Sequence, residues 1–398
     1  MSATDFTRRG LLLGATALAT TAASPREEDI VGQPLRPWRR GGLDIHHIAT
    51  GKGDSTLIIG PDGASLMIDA GASKTPPPAS LDARPNDERR PGEWIGRYAR
   101  RHLPAAGAPK LDTFLVSHLH PDHIDGLYDV AAQLEIGLLV DRAYPDYAYP
   151  QPLDAPFAKT YQAFIRKRVQ SGGKVERFRV GAADQLALPG AEIRNLAANG
   201  QVWTGRGNET RQMFPAIETL VKDDIPDENA CSTAIRLRHR AFGYFAAGDL
   251  TSHGFDGALP WRDVETPAAR AAGAVDVAVA AHHGMFDATG ADVVRALKPR
   301  AWIIQGWHVA HPSTDALERM LSRRLYPAPR EVFATGLSPA NVLAHAWLTD
   351  LMAAQGGHVV VRVAPGGDSY RVVITDNRDE TDRVVSVWGP WPAAGSQG

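Results

Sequence analysis

His118, His120, Asp122 and His123 put four side chains able to ligate a divalent cation within six residues. The apolar run Thr113-Phe-Leu-Val-Ser117 ahead of them predicts a strand, and Ile124 opens a helical pattern. In extended chain His118 and His120 point to the same side, so both can face one ion. Asp122 and His123, where the helix starts, can face a second ion nearby, and Pro121 stiffens the turn between the pairs. The chain has a single cysteine, Cys231, so a cysteine-built zinc site and an intrachain disulfide are both excluded. Any metal must be held by His, Asp, Glu and Asn.

The string His118-Leu-His-Pro-Asp-His-Ile-Asp-Gly126 resembles the signature of the metallo-β-lactamase superfamily. That resemblance implies an α/β fold, a four-layer αββα sandwich, and a hydrolase with two divalent metal ions, zinc first. It also implies an Asp from a later strand end as the shared ligand. Phe245-Ala-Ala-Gly248-Asp249-Leu250 supplies one, so Asp249 joins His118, His120, Asp122 and His123 as a metal ligand. His282-His283-Gly284 closes another apolar strand. We assign His282 as a ligand of the second ion and His283 as the spare imidazole, a proton donor or substrate contact, an order open to exchange.

A narrower resemblance, to the hydrolase domain of the competence protein ComEC, rests on four further stretches. These are Asp44 to Ser55 with its G-x-G-D-S, Leu66-Met-Ile-Asp69-Ala-Gly71, Asn229-Ala-Cys-Ser232, and Gly306-Trp-His308-Val-Ala-His311-Pro312-Ser313. The match runs in pieces from about residue 43 to 325. It implies that Asp54, Asn229 and Ser232 line the site, that Asp69 steadies a ligand imidazole, and that His311 enters the site. His308 and His253 read as surface residues. Many superfamily members draw a third His for the first ion from mid-chain, but no histidine lies between His123 and His239. Water, Asn229 or Asp227 must fill that position, and oxygen-rich coordination admits manganese beside zinc.

Two ions about 3.5–4 Å apart would share Asp249 and a bridging hydroxide, formed because a bound dication brings the pKa of water down to about 7. Asp122, His283 and His311 are the candidate catalytic groups, with His311 contacting a phosphate oxygen or protonating the leaving group. A phosphodiester leads as substrate because the ComEC-type domain is linked to nuclease activity; the same cage serves lactonases and β-lactamases, and a silent metal-binding module is a third reading. Formal charge is −2 with no polybasic block, so strong nonspecific binding to long polyanions is not expected, although a nucleic acid remains an admissible partner beside a small-molecule ester. Lys52 does not belong to a phosphate loop, since His46 stands where the first Gly should be, and no G-x-S-x-G string announces a serine hydrolase.

The elements that must position these groups are short. Thr56–Ile59 and Ser65–Ile68 read as strands joined by the turn Gly60-Pro-Asp-Gly63, and Glu93–Arg101 reads as a helix. Thr233–Leu237, Gly243–Ala246 and Val275–Ala280 are strands, and Val359–Val363 with Tyr370–Ile374 forms a hairpin across Gly366-Gly367. The stretches 144–157 and 200–228 read as long loops. Residues 1–23, with Arg8-Arg9 before an apolar run, resemble a twin-arginine signal peptide. Export through the twin-arginine machinery to the periplasm or beyond is the expectation, with no stable membrane insertion after cleavage. Residues 24–41 are assigned as linker, 42–376 as the hydrolase domain and 377–398 as a C-terminal tail.

Overall fold

A computed structural model describes residues 28–72, 79–104 and 109–397. The expected signal peptide, 1–23, lies outside the described residues. The chain opens with an antiparallel meander of β1 (Leu43–His47), β2 (Thr56–Ile59) and β3 (Ser65–Ile68). Helix α1 (Pro91–His102) crosses to β4 (Lys110–Leu115), parallel to β3. The short helices α2 (Pro121–Ile124) and α3 (Leu127–Ala131) lead to β5 (Glu135–Asp141), and α4 (Pro156–Gln170) to β6 (Lys174–Arg177), both strands again parallel.

A second sheet follows, with β7 (Glu192–Ala198), β8 (Gln201–Trp203), β9 (Thr210–Gln212), β10 (Ala234–His239) and β11 (Phe242–Ala246) paired antiparallel among themselves. It continues with parallel strands, α5 (Glu265–Ala272) leading to β12 (Val277–Val279), α6 (Ala291–Leu297) to β13 (Ala301–Ile304), and α7 (Thr314–Leu321) to β14 (Glu331–Ala334). After α8 (Pro339–Ala344) and α9 (Ala346–Thr349), the chain returns to the first sheet. There β15 (His358–Val363) pairs with β1, and β16 (Ser369–Thr375) and β17 (Val384–Pro392) extend it outward. The sheets hold nine and eight strands among the described residues.

Period-2 alternation sorts side chains into layers. Leu43, Ile45, Leu66 and Ile68 meet Leu237, Val277, Val279 and Ile303 in the core between the sheets. The opposite faces, with Leu57, Met67 and Phe114, pack on α1, α3 and α4. Ala278, Trp302 and Ile304 pack on α5, α6 and α7. This is the αββα sandwich. Strands β2 and β3 occur at the residues the sequence predicts, because short apolar runs and turn chemistry agree there.

Two boundaries are corrected. The segment 377–398 is not a tail, since Val384–Pro392 pairs with β16 along the sheet edge, the position where a strand tolerates Pro390 and Pro392. Nor are the described residues of the linker, 28–41, free of the domain: Leu35 is buried, and the amide N–H groups of Gly32 and Leu35 donate to Val384 and Asp382 carbonyls. The stretch 200–228, read as loop, contributes β8 and β9. No helix among the described residues is long and apolar enough to cross a membrane.

Candidate metal centre

Strands β3, β4, β11, β12 and β13 each deliver a side chain to one edge of the sandwich just past their last residue. Asp69 follows β3, Ser117 to His120 follow β4, Asp249 follows β11, His282 and His283 follow β12, and Gln305 follows β13. Helix α2 adds Asp122 and His123. Its approach is tight. A Cβ on Gly71 would lie 1.8 Å from the Asp122 carbonyl oxygen, and one on Gly53 2.3 Å from it. The glycines of G-x-G-D-S and I-D-x-G are therefore needed so that this backbone can close on α2.

Two groups of ligand atoms result. His118, His120 and Asp249 form one, and Asp122, His123, Asp249 and His283 the other, with the atoms of each group within 4.8 Å of one another. Asp249 belongs to both. His118 Nε2 lies 3.6 Å from Asp249 Oδ2 and 3.1 Å from His120 Nδ1. Across the carboxylate, Asp249 Oδ2 is 3.3 Å from His123 Nε2 and 3.5 Å from His283 Nε2. Asp122 Oδ2 is 3.1 Å from the latter nitrogen.

The donor set fits a pair of divalent ions. His123 Nε2 and Asp249 Oδ1 are buried with no hydrogen-bond partner, a costly condition unless a cation supplies one. Burial pushes the Asp122 and Asp249 carboxyls up, yet the neighbouring imidazoles, His123 foremost, hold both well below the usual carboxylate range. Burial and the nearby His123 push the His118 imidazole well down, whereas at His123 burial is outweighed by the Asp249 and Asp122 carboxylates, which hold the imidazole well up, with a proton that a bound cation would displace.

Three imidazoles are aimed from behind. His123 Nδ1 is 2.9 Å from Asp69 Oδ2, and the other Asp69 oxygen accepts the Ser117 N–H at 2.7 Å. His283 Nδ1 is 2.9 Å from Asp54 Oδ1, while Gln305 Nε2 donates to Asp54 Oδ2. His282 Nδ1 is 2.8 Å from Asp287 Oδ1. A carboxylate on Nδ1 fixes the tautomer with its lone pair on Nε2. Ser232 Oγ accepts the Asp249 N–H at 3.1 Å, so it sets that strand end. The motifs yielded Asp54, Asp69 and Ser232, but not Gln305 or Asp287, which stand in no signature string.

One assignment reverses. His283, not His282, sits with Asp122, His123 and Asp249. Both residues have positive φ, 48° and 54°, and this tight turn swings consecutive imidazoles in different directions. His282 Nε2 is 4.0 Å from Asp249 Oδ2 and 3.1 Å from Asn229 Nδ2, at the margin of the first group. Asn229 therefore borders the first group, and its Oδ1 is buried without a partner. Asp227 is engaged elsewhere, accepting the Ala230 N–H and lying 3.6 Å from Arg262. His311 does enter the site, stacked on His283 with ring centroids 4.4 Å apart. Burial and His283 push its imidazole well down, and its Nδ1 has no partner. His308 touches His311 from outside, and His253 packs against Phe255 and Phe286.

Solved structures similar to this αββα chain include metallo-β-lactamase-fold proteins. The likenesses are distant. CmlA, a diiron β-hydroxylase from Streptomyces venezuelae, is 13% identical at a TM-score of 0.41, over 82% of this chain and 55% of that one, so the chain spans about half of CmlA. The metallo-β-lactamase fold protein YhfI from Bacillus subtilis is 12% identical at 0.39, over 73% and 96%. Unliganded yeast PDE1 is 12% identical at 0.40, over 80% and 98%. No family model and no curated protein matches the chain.

Asp69→Asn keeps an oxygen for the Ser117 N–H but removes the charge behind His123. It is expected to weaken binding of the second ion by roughly 10–100-fold, read by competition with a fluorescent zinc chelator. Unchanged affinity would remove Asp69 from the role described.

Proposed function

We propose that this protein is an exported, dinuclear metal-dependent hydrolase acting on phosphodiesters. The observation that carries the hydrolase reading is the sharing of Asp249 by two ligand groups, since structural metal sites are usually mononuclear and closed. Bound there, a pair of divalent ions would ionise a water near neutral pH and stabilise charge on the oxygen under attack.

The chain's own residues do the rest. Asp54 and Asp69 hold the outer nitrogens of His283 and His123, so that their inner nitrogens point at the site. Trp307, edge-on to His283 and His311, and the burial of the ring cluster exclude bulk water from one wall. His311 brings a neutral imidazole whose Nδ1 is unengaged, a group suited to hydrogen-bonding an ester oxygen or the departing alkoxide. That residue, and the ComEC-type strings around Asp54, Asn229 and His311, favour a phosphodiester over a lactone or β-lactam.

The test is an activity panel on metal-reconstituted protein with His120→Ala as the blank. Turnover of bis-p-nitrophenyl phosphate should require added zinc or manganese, stop with chelator, and fall at least about 100-fold in the blank. Turnover of nitrocefin or a lactone with none of the phosphodiester would replace this substrate class, and inertness toward all three would leave a silent metal-binding module.

Export rests on Arg8-Arg9 and the apolar run behind them. Fractionated cells should hold a shortened chain outside the cytoplasm, and Arg8→Lys with Arg9→Lys should leave a full-length precursor inside. A full-length, cytoplasmic wild type contradicts it.

A further inference from the structure

The peptide between the first two metal-ligating histidines is held by an ion pair that lies outside both ligand groups. The Leu119 N–H donates to Glu228 Oε1 at 2.8 Å. Behind Glu228 stands Arg142, whose Nε reaches the same oxygen at 2.7 Å and whose Nη2 reaches Oε2 at 2.5 Å. The pair is deeply buried, with side chains 1% and 5% exposed. Arg142 is fixed in turn, its Nη1 donating to Asn199 Oδ1 at 3.0 Å and to the Tyr149 carbonyl at 3.1 Å. Asn199 returns a hydrogen bond to the Arg142 carbonyl.

This chain of contacts runs from the turn between β7 and β8, through the end of β5 and the loop before β10, to the ligand loop. Leu119 is the single residue between His118 and His120, and its N–H belongs to the His118–Leu119 peptide, so this hydrogen bond fixes a peptide plane on the short backbone link between the two imidazoles. Their facing nitrogens, 3.1 Å apart, converge only while that plane holds. A bidentate Arg–carboxylate pair is the stiffest anchor side chains offer for such a tether. Glu228 also immediately precedes Asn229, which borders the same group.

We infer that Glu228, clamped by Arg142, is a positioning residue for the ion held by His118 and His120, and that the ion held by Asp122, His123 and His283 does not depend on it. The inference rests on the dinuclear reading above. The alternative is a buried pair that serves stability alone. Replacing such a pair with apolar side chains of similar volume is often neutral for stability, whereas removing one partner is not. The double variant Glu228→Leu/Arg142→Met therefore separates the two roles.

The experiment titrates cobalt(II) into the metal-free full-length chain, following the visible absorption bands and competition with a fluorescent chelator. Thermal unfolding of the metal-free protein is recorded beside it. Wild type should bind two cobalt ions. The double variant should fold, unfolding at a lower temperature because the Leu119 N–H and Asn199 Oδ1 lose their partners, and should bind one cobalt at wild-type affinity and the other at least tenfold more weakly, losing the same absorption features that His120→Ala removes. Should the double variant not fold, Glu228→Gln carries the same readout: with an amide NH2 in place of Oε2, two donors face each other at Arg142 Nη2, the clamp opens, and the same ion weakens tenfold or more. Two ions at wild-type affinity in the folded variant overturn the inference and leave the dinuclear reading intact. A wild type that binds fewer than two ions overturns both.

Discussion

Asp249 is the group on which the site turns. Its carboxylate is almost fully buried, with His118, His123 and His283 within 3.6 Å of one oxygen and no hydrogen bond to the other. A buried anion in such a setting is costly unless positive charge sits beside it. The rest of the edge answers that demand. Strands from both sheets end there, Gly71 and Gly53 let α2 close on them, and Asp54, Asp69 and Asp287 hold the rear of three imidazoles. The layer packing of the sandwich is what keeps strand ends from two different sheets in one register.

The same reasoning separates the cage from the other buried histidines. His47 is satisfied by the Val359 carbonyl and the Tyr244 hydroxyl, and burial pushes it down to about 4. His46 Nδ1 pairs with Tyr98, and His358 Nδ1 accepts the Ala49 N–H. These are neutral core imidazoles with protein partners, whereas His118, His120, His123 and His283 converge on a shared carboxylate. Burial alone does not mark a ligand; convergence does.

Legibility in the sequence followed contact range. The ligands from His118 to His123 are contiguous, so residue type and spacing exposed them at once. β2 and β3 were readable because a short turn joins two apolar runs. Asp54 and His283 are 229 residues apart, and only the family strings hinted that they meet. The order of His282 and His283 depended on a left-handed turn that two adjacent identical letters cannot encode. Glu228 and Arg142 lie in no string at all, and their pairing follows from where β5 and the loop before β10 are brought together. β17 was hidden because Gly389-Pro390 reads as a break, and an edge strand can carry one.

Anomalous diffraction from crystals grown with zinc addresses the shared carboxylate directly. Two peaks about 3.5–4 Å apart, one beside His118 and His120, the other beside His123 and His283, with Asp249 touching both, is the predicted map. A single peak, or a pair in which Asp249 contacts neither, would contradict the account.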